Sequence, residues 1–206
     1  MARGARSAPT PASGHAGSGH ASGARAAASP IAQTWSGKTG TLADPPAGPP
    51  GEEVSVPEIL VVDTNVALKA YLEEDLADEA EAILDAGLSE ETTLVAPSLI
   101  LPEFRHALDK RRRRGELSAD EAEEIWNEFA GYPIFLEELD PLMPAAVEVV
   151  RVCGCTVYDA IFVALAETGS EERLALITAD ERLMRTLEGT PYAGLVLALG
   201  KVGGLL

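Results

Sequence analysis

The stretch Ile59-Leu60-Val61-Val62-Asp63-Thr64-Asn65 determines the fold that we expect for this chain. Its first four residues are apolar and mostly β-branched, which predicts a short strand that is buried on both faces. The run ends on the carboxylate of Asp63, and a helical pattern begins at Val66. An acid that follows a buried strand and precedes a helix lies where open α/β sheets bind their ligands. Asp63 is therefore the first candidate for a functional side chain.

Further apolar runs with the length of strands alternate with helical patterns along the chain. The strands are predicted at residues 92–96, 133–136, 174–177 and 195–198. The helices are predicted at residues 66–72, 76–88 with a stop at Gly87, 97–114, 118–130, 141–152, 156–167 with an end at Gly169, and 178–188. This alternation predicts an α/β fold, a three-layer sandwich in which helices flank a central parallel sheet of about five short strands.

Composition divides the chain into two parts. Residues 1–56 are mainly Ala, Gly, Ser and Pro and offer too little apolar surface to offset chain entropy, so we expect a disordered extension and linker. A start codon assigned too far upstream would give the same sequence. Residues 57–206 form the predicted folded domain.

Charge is also unevenly distributed. The first 50 residues carry a net charge of +3, and the remainder carries −20. Such an acidic body argues against general adhesion to nucleic acids or membranes. It does not exclude a nucleic-acid enzyme in which metal ions and a local basic strip offset the negative field.

The cysteine content indicates a reducing compartment. Cys153 and Cys155 are the two cysteines of the chain, and with one residue between them a disulfide would be strained. Two isolated thiols also make a poor zinc site, so we interpret them as small buried residues. No apolar run approaches the roughly 20 residues of a membrane-spanning helix. We expect a soluble, cytoplasmic protein without a membrane partner.

Four acids stand at comparable positions, and each also has a purely structural explanation. Asp63 can cap the first helix, and Glu103 can be an ordinary exposed helix residue. Asp159 follows Thr156 in a variant capping box, and Thr178 can pair with Glu181 in the same way, which leaves Asp180 as a first-turn acid. The four candidates are Asp63, Glu103, Asp159 and Asp180.

Topology brings the candidates together. In a parallel sheet, strand ends and the starts of the following helices share one edge, which unites Asp63, Glu103 and Asp180. Asp159 joins them if its helix begins nearby. Clustered carboxylates repel one another unless cations neutralise them, and Mg²⁺ or Mn²⁺ fits an oxygen-only ligand set.

Four segments around these acids resemble the acidic motifs of PIN-domain ribonucleases, most closely the VapC-type toxins of toxin–antitoxin pairs. They are Val62-Asp63-Thr64-Asn65, Pro102-Glu103, the run Tyr158-Asp159-Ala160-Ile161-Phe162-Val163-Ala164-Leu165-Ala166, and Ile177-Thr178-Ala179-Asp180-Glu181-Arg182-Leu183. The resemblance covers about residues 58–200, and all four acids are present. The N-terminal extension and the run of four arginines are not typical of the family.

The resemblance implies a PIN-like fold and metal-dependent hydrolysis of RNA phosphodiester bonds. Asp63, Glu103 and Asp159 would then be direct or water-mediated ligands of Mg²⁺, with Mn²⁺ as an alternative. Asp180 would be a further ligand or would orient the attacking water. Thr64, Asn65 and Thr178 would support them by hydrogen bonds to ligands or water.

A basic run ends the helix that carries Glu103. Its cations suit the negative end of the helix dipole, and this alone explains a solvated helix terminus. Alternatively, the run contacts RNA phosphates, with one further arginine nearer the acids. The candidate RNA-binding residues are Arg105, Lys110, Arg111, Arg112, Arg113 and Arg114.

The partners follow from the resemblance. VapC-type proteins are typically inhibited by a cognate antitoxin and are often dimeric, so we expect an antitoxin and a homodimer. Two other classes stay open from the sequence. One is a non-catalytic PIN-like interaction module, and the other is a phosphoacceptor signalling domain, whose paired acids after the first strand are not matched here.

Overall fold

The computed structural model describes residues 57–169 and 174–202 and contains the predicted sheet. The extension predicted for residues 1–56 lies outside the described residues. Five parallel strands have the order β3-β2-β1-β4-β5, which confirms the predicted fold class. They are β1 (Ile59–Val62), β2 (Thr93–Pro97), β3 (Phe135–Glu137), β4 (Leu174–Thr178) and β5 (Val196–Ala198).

Helices cover the sheet on both faces. They are α1 (Thr64–Lys69), α2 (Ala77–Leu88), α3 (Ile100–Arg113), α4 (Ala119–Ala130), α5 (Leu139–Cys153), α6 (Val157–Thr168), α7 (Glu181–Leu187) and α8 (Leu199–Val202). Helix α6 packs against β1, β2 and β4 with α5 against it, and α2 packs against β2. Within the described ranges, no individual helix is long and apolar enough to cross a membrane, although α5 and α6 together pass by length and composition with a bend of 114° between them.

The strand order creates a switch point at β1. From β1 the chain moves to β2 and then β3 on one side, whereas β4 and β5 lie on the other side of β1. Right-handed crossovers therefore place the helices after β1 and β2 on one face and those after β3 and β4 on the opposite face. The carboxyl ends of β1 and β4 therefore lie at the switch point, which is where ligands bind in sheets of this type.

Three aromatic rings pack together and join α3 to α4 and to the segment that follows α1. The rings of Phe104 and Phe129 lie 3.8 Å apart between centroids and are nearly parallel, and Tyr71 meets both edge-on at 5.8 and 6.4 Å. Phe104 is fully buried. This packing holds the first turns of α3, and therefore Glu103, at a defined height above the sheet.

Several helix boundaries match the sequence prediction, and others differ. The capping box of Ser118 and Glu121 before α4 is confirmed, with both of its hydrogen bonds present. The predicted pairing of Thr178 with Glu181 is wrong, because Thr178 belongs to β4 and Asp180 caps α7. The helix predicted from residue 97 begins at Ile100, since Pro97 still pairs with β3.

Gly87 does not stop α2, which continues to Leu88. Its role is steric. A Cβ atom at this position would lie 2.4 Å from Cδ1 and 2.6 Å from Cγ of Leu94, which is buried in β2. The glycine therefore lets the last turn of α2 approach the sheet closely. Gly169, directly after α6, has the same relation to Leu174 of β4, at 2.2 Å.

We predict that Gly87→Ala destabilises the fold, although alanine ordinarily stabilises a helix by about 1 kcal/mol relative to glycine. The added methyl overpacks against Leu94, which costs about 1–3 kcal/mol. Chemical denaturation measures the free energy of unfolding. The matched control is Gly131→Ala at the end of α4, where a Cβ would have its nearest contact at 3.6 Å and φ is −92°. A stabilised Gly87→Ala variant would contradict the steric role.

Candidate active site at the switch point of the sheet

Asp63 lies at the centre of a hydrogen-bonded group that joins β1 to β4. Its Oδ2 accepts hydrogen bonds from the Thr178 hydroxyl at 2.5 Å and from the Asn65 amide at 2.7 Å. Its Oδ1 accepts the backbone N–H of Asn65 at 3.3 Å and so caps α1. Asn65 Oδ1 in turn accepts the backbone N–H of Ala179 at 3.0 Å, just beyond β4. The carboxylate is therefore fixed by neutral donors from both strands.

Glu103 reaches the same region from α3. It lies in the first turn of that helix, next to the buried Phe104, and keeps part of its surface exposed. The hydroxyl of Thr64, the first residue of α1, donates a hydrogen bond of 2.6 Å to its Oε2. Thr64 itself is buried. A neutral donor again holds the carboxylate, and the contact ties α3 to the start of α1.

Asp159 is presented by the first turn of α6. Thr156 caps this helix by accepting the backbone N–H of Asp159 at 3.2 Å, and its hydroxyl contacts Asp159 Oδ2 at 2.8 Å. The start of α6 at Val157 meets the condition that the sequence had left open. The negative charge of Asp159 acts on both Asp63 and Glu103. The structure thus brings these three acids into mutual electrostatic range.

Burial and mutual repulsion raise the pKa values of two of these acids. Burial raises the pKa of Asp63 from 3.8 to about 6, opposed by the hydrogen bonds from Thr178 and Asn65 and reinforced by the charges of Glu103 and Asp159. Burial also raises the pKa of Glu103, with a smaller contribution from Asp159. No ion pair to these three carboxylates occurs within the described part of the chain. The cluster therefore carries negative charge that no cation of residues 57–169 or 174–202 balances in an ion pair.

Asp180 occupies a different place from the other three. Its Oδ1 accepts the backbone N–H groups of Arg182 at 2.7 Å and Leu183 at 3.1 Å, which makes it the N-cap of α7. Its own backbone N–H donates to the Thr178 hydroxyl at 3.0 Å. Asp180 thus joins the site through Thr178, and its charge is not among those that raise the pKa of Asp63.

The donor chemistry of the cluster fits a hard divalent cation. Asp63, Glu103 and Asp159 offer carboxylate oxygens, which are the ligands that hard divalent cations prefer. Among the described residues, no three His, Cys, Asp or Glu side chains lie close enough together to hold an ion directly. A bound Mg²⁺ would therefore take one or two of these carboxylates directly and keep several waters, as Mg²⁺ usually does in proteins. The predicted metal site stays a prediction.

The basic residues of α3 divide into two groups. Arg105 forms ion pairs with Glu123 and Asp109, and its guanidinium lies 5.7 Å from the ring centroid of Trp126. It is thereby directed towards α4 rather than towards the acids. Arg111 is likewise engaged by Glu74 and Glu116 on the flank of α3.

The remaining cations of the basic run are exposed. Lys110 and Arg113 have no ion pair within the described ranges, whereas Arg112 pairs with Asp109 at 3.6 Å and Arg114 pairs with Glu116 at 3.7 Å. In an α-helix, residues seven and eleven positions apart return to the same face. Lys110 and Arg114 therefore share the face of Glu103, about 10 and 16 Å along the helix axis from it.

The sequence reasoning did not single out Tyr158, which precedes Asp159 on α6. Its side chain is 57% exposed, whereas the seven residues that follow Asp159 are all buried. Its position in the sequence could have indicated this exposure. Tyr158 lies between the helix cap Thr156 and the first-turn acid Asp159, before the buried apolar residues of α6 begin.

Comparisons with known proteins agree with this architecture. A family model described as PIN domain matches residues 60–188. The chain belongs to the PIN-domain family. It is 33% identical over 130 residues to Ribonuclease VapC3 of Pyrobaculum aerophilum, an alignment that covers 60% of this chain and 91% of that protein. The resemblance to PIN-domain proteins of the VapC type is confirmed.

A solved structure supports the fold of this PIN-domain protein. The crystal structure of PAE2754 from Pyrobaculum aerophilum superimposes with a TM-score of 0.50 and 23% identity. The match covers 72% of this chain and 88% of that one. Membership of the PIN-domain family also leaves the alternative of a phosphoacceptor signalling domain without support.

We predict a pH-dependent effect of Asp63→Asn on stability in the metal-free PIN domain. Because the folded-state pKa of Asp63 (about 6) exceeds its ordinary value of 3.8, the folded state favours the neutral carboxyl. The contribution of the neutral carboxyl to the free energy of unfolding is fully present below about pH 4 and is lost as pH rises through about 6. Asparagine removes the buried charge and remains a good helix cap, so the variant should be more stable than wild type by about 1–3 kcal/mol at pH 8.

This stability gain should shrink towards pH 5, where wild-type Asp63 is largely neutral. Denaturant titrations at the two pH values, in the presence of a chelator, measure the difference. Asp120→Asn, at an exposed first-turn acid of α4, is the matched control and should show no such pH-dependent gain. An equal gain at both pH values would contradict the assignment of burial as the cause.

Proposed function

We propose that this protein is a Mg²⁺-dependent endoribonuclease that hydrolyses RNA phosphodiester bonds and acts as the toxin of a toxin–antitoxin pair. The observation that carries the proposal is the uncompensated acid cluster of Asp63, Glu103 and Asp159 at the switch point of the sheet. The similarity to Ribonuclease VapC3 supports the substrate class. Mn²⁺ is an alternative cofactor with the same oxygen preference.

The roles of the residues follow from their contacts. Asp63, Glu103 and Asp159 would hold the ion directly or through water, and the bound ion would neutralise charge on the phosphate and assist the attack of water. Thr178 and Asn65 orient Asp63, and Thr64 orients Glu103. Such neutral donors fix the carboxylates without cancelling the negative charge that attracts a cation.

Asp180 has a supporting role in this proposal. Its carboxylate caps α7, and its backbone N–H contacts the Thr178 hydroxyl, which binds Asp63. It therefore positions the end of β4 against the end of β1. A second function as a ligand, or as a group that orients the attacking water, remains part of the proposal through its position on the same edge.

We predict that Asp63→Asn and Glu103→Gln each reduce RNA cleavage by at least about a hundredfold, the loss typical when one group that stabilises the transition-state charge is removed. The measurement uses defined RNAs with Mg²⁺, with Mn²⁺ and with a chelator. The matched control is Asp120→Asn, which should cleave like wild type. Circular dichroism establishes that each variant is folded.

Two outcomes would contradict the nuclease proposal in different ways. Full activity of folded Asp63→Asn would remove this residue from the catalytic group. Absence of cleavage by wild type under every metal condition, with RNA binding retained, would favour the alternative of a non-catalytic PIN-like interaction module.

The basic run supplies the proposed contact to RNA phosphates. Lys110 and Arg114 share the helix face of Glu103 and extend away from the acids along α3. The body of the protein is strongly acidic, so a local row of cations is what would draw the phosphate backbone towards the cluster. Arg112 and Arg113 are exposed beside this row, whereas Arg105 and Arg111 are directed into ion pairs.

We predict that the double variant Lys110→Gln/Arg114→Gln flattens the salt dependence of RNA binding. The plot of log K against log salt has a negative slope, and each lost phosphate contact reduces the magnitude of this slope by about 0.7 on a single strand. Loss of both contacts should therefore reduce the magnitude by about 1.4. Binding is measured in a chelator to prevent cleavage. Arg105→Gln is the matched control and should leave the slope unchanged. An unchanged slope in the double variant would assign these cations to the helix dipole alone.

The proposed partners are a cognate antitoxin and a second copy of this chain, in the cytoplasm. A basic segment of an antitoxin would match the negative charge of the site and could occupy the place of the cation. The VapC name of the similar protein supports such a pair. Light scattering of the isolated protein measures the proposed homodimer.

A further inference from the structure

Tyr158 is exposed in a way that sets it apart from most aromatic side chains of the protein. Among the described residues, Tyr158 is 57% exposed and Phe135 is 42% exposed, while the other rings are buried or half-buried. An aromatic side chain gains substantial free energy by leaving water. The phenol of Tyr158 therefore offers apolar surface that the fold itself does not use.

The position of Tyr158 places this surface at the margin of the acid cluster. It lies in the first turn of α6, between the cap Thr156 and Asp159. Consecutive Cα atoms are about 3.8 Å apart, and Asp159 interacts electrostatically with Asp63 and Glu103. Tyr158 is therefore an exposed aromatic residue directly next to one of the three acids in the chain.

The negative charge of the acid cluster favours a contact to RNA that does not depend on charge. The cluster attracts cations but repels phosphates, and the basic residues of α3 lie on a different helix, with Lys110 about 10 Å along the axis from Glu103. Stacking of a base on an aromatic ring does not depend on charge, and every base offers a π face. An exposed tyrosine next to the acids can hold a nucleotide where electrostatics would expel it.

We propose that Tyr158 is a substrate-binding residue that stacks on an unpaired base beside the scissile phosphodiester. This role requires a substrate in which that base is free to stack on the ring. This inference rests on the proposed ribonuclease function and specifies how that site holds its substrate.

The first experiment measures binding of a fluorescently labelled single-stranded RNA by anisotropy, in a chelator and in the Asp63→Asn background. Tyr158→Ala should weaken binding by roughly tenfold to a hundredfold, the effect of removing one base–aromatic stack. Tyr158→Phe keeps the ring and should bind like the parent. Phe135→Ala removes the other exposed ring, on the edge strand β3, and should not change affinity.

The second experiment moves an abasic site through the same RNA, one position at a time. If the ring stacks on one base, Tyr158→Ala should lose its effect when that base is missing, and only then. The same position should flank the bond that wild type cleaves with Mg²⁺. Double-stranded RNA should bind equally well to Tyr158→Ala and to the parent, because its bases are not free to stack on the ring.

The outcomes separate this inference from the ribonuclease proposal. Equal affinity of Tyr158→Ala and the parent for single-stranded RNA would overturn the stacking role, as expected if the ring contacts a protein instead. A loss of equal size at every abasic position would overturn it as well. Cleavage by wild type with an unchanged Tyr158→Ala variant would keep the nuclease and reject the ring. Base-dependent binding through Tyr158 without cleavage would keep the ring and reject the nuclease.

Discussion

The hydrogen bonds from Thr178 and Asn65 to Asp63 connect the two halves of this protein. Thr178 is the last residue of β4, and Asp63 directly follows β1. The carboxylate of Asp63 therefore joins the two strands that form the switch point of the sheet. Asn65 adds a link from α1 to the backbone beyond β4. These contacts use buried or half-buried polar groups, which must be paired where they lie. The geometry of the site and the closure of the sheet therefore depend on the same three side chains.

Neutral donors hold the acids, and this choice has an electrostatic cost. An arginine at the place of Asn65 or Thr178 would compensate the charge of Asp63 and lower its pKa, whereas hydroxyl and amide donors leave most of the charge in place. The site thus retains negative potential at the expense of fold stability. Carboxylates whose pKa values are strongly shifted by burial and by like charges are common at functional sites. Helix capping by Asp63 offsets part of this cost, since the same carboxylate stabilises α1.

Much of the fold could be predicted from the sequence because apolar runs and helical spacing report burial directly. The runs that became β1, β2 and β4 are buried almost throughout, and the parallel sheet follows from their alternation with helices. The shared edge of Asp63, Glu103 and Asp180 also follows from topology, whereas the place of Asp159 depended on where α6 begins. Topology does not reveal which hydrogen-bond partner each side chain has. Thr178 has the spacing of a local cap for α7, but tertiary contact with Asp63 takes its hydroxyl, and Asp180 caps the helix instead. Gly87 misled for a related reason, because its neighbour Leu94 is close in space and not in sequence.

Gly87 and Gly169 show that the two ends of the sheet are held by different kinds of contact. Each glycine lets the end of a helix settle onto a leucine of a strand that flanks β1, one from the α2 side and one from the α6 side. Both contacts are apolar and lie at the end of the sheet opposite to the acids. Apolar contacts thus hold the helices at one end of the sheet, and hydrogen bonds join β1 to β4 at the other end. A substitution at the acid-bearing edge therefore leaves both glycine–leucine contacts in place, and a change at either glycine leaves the acids untouched.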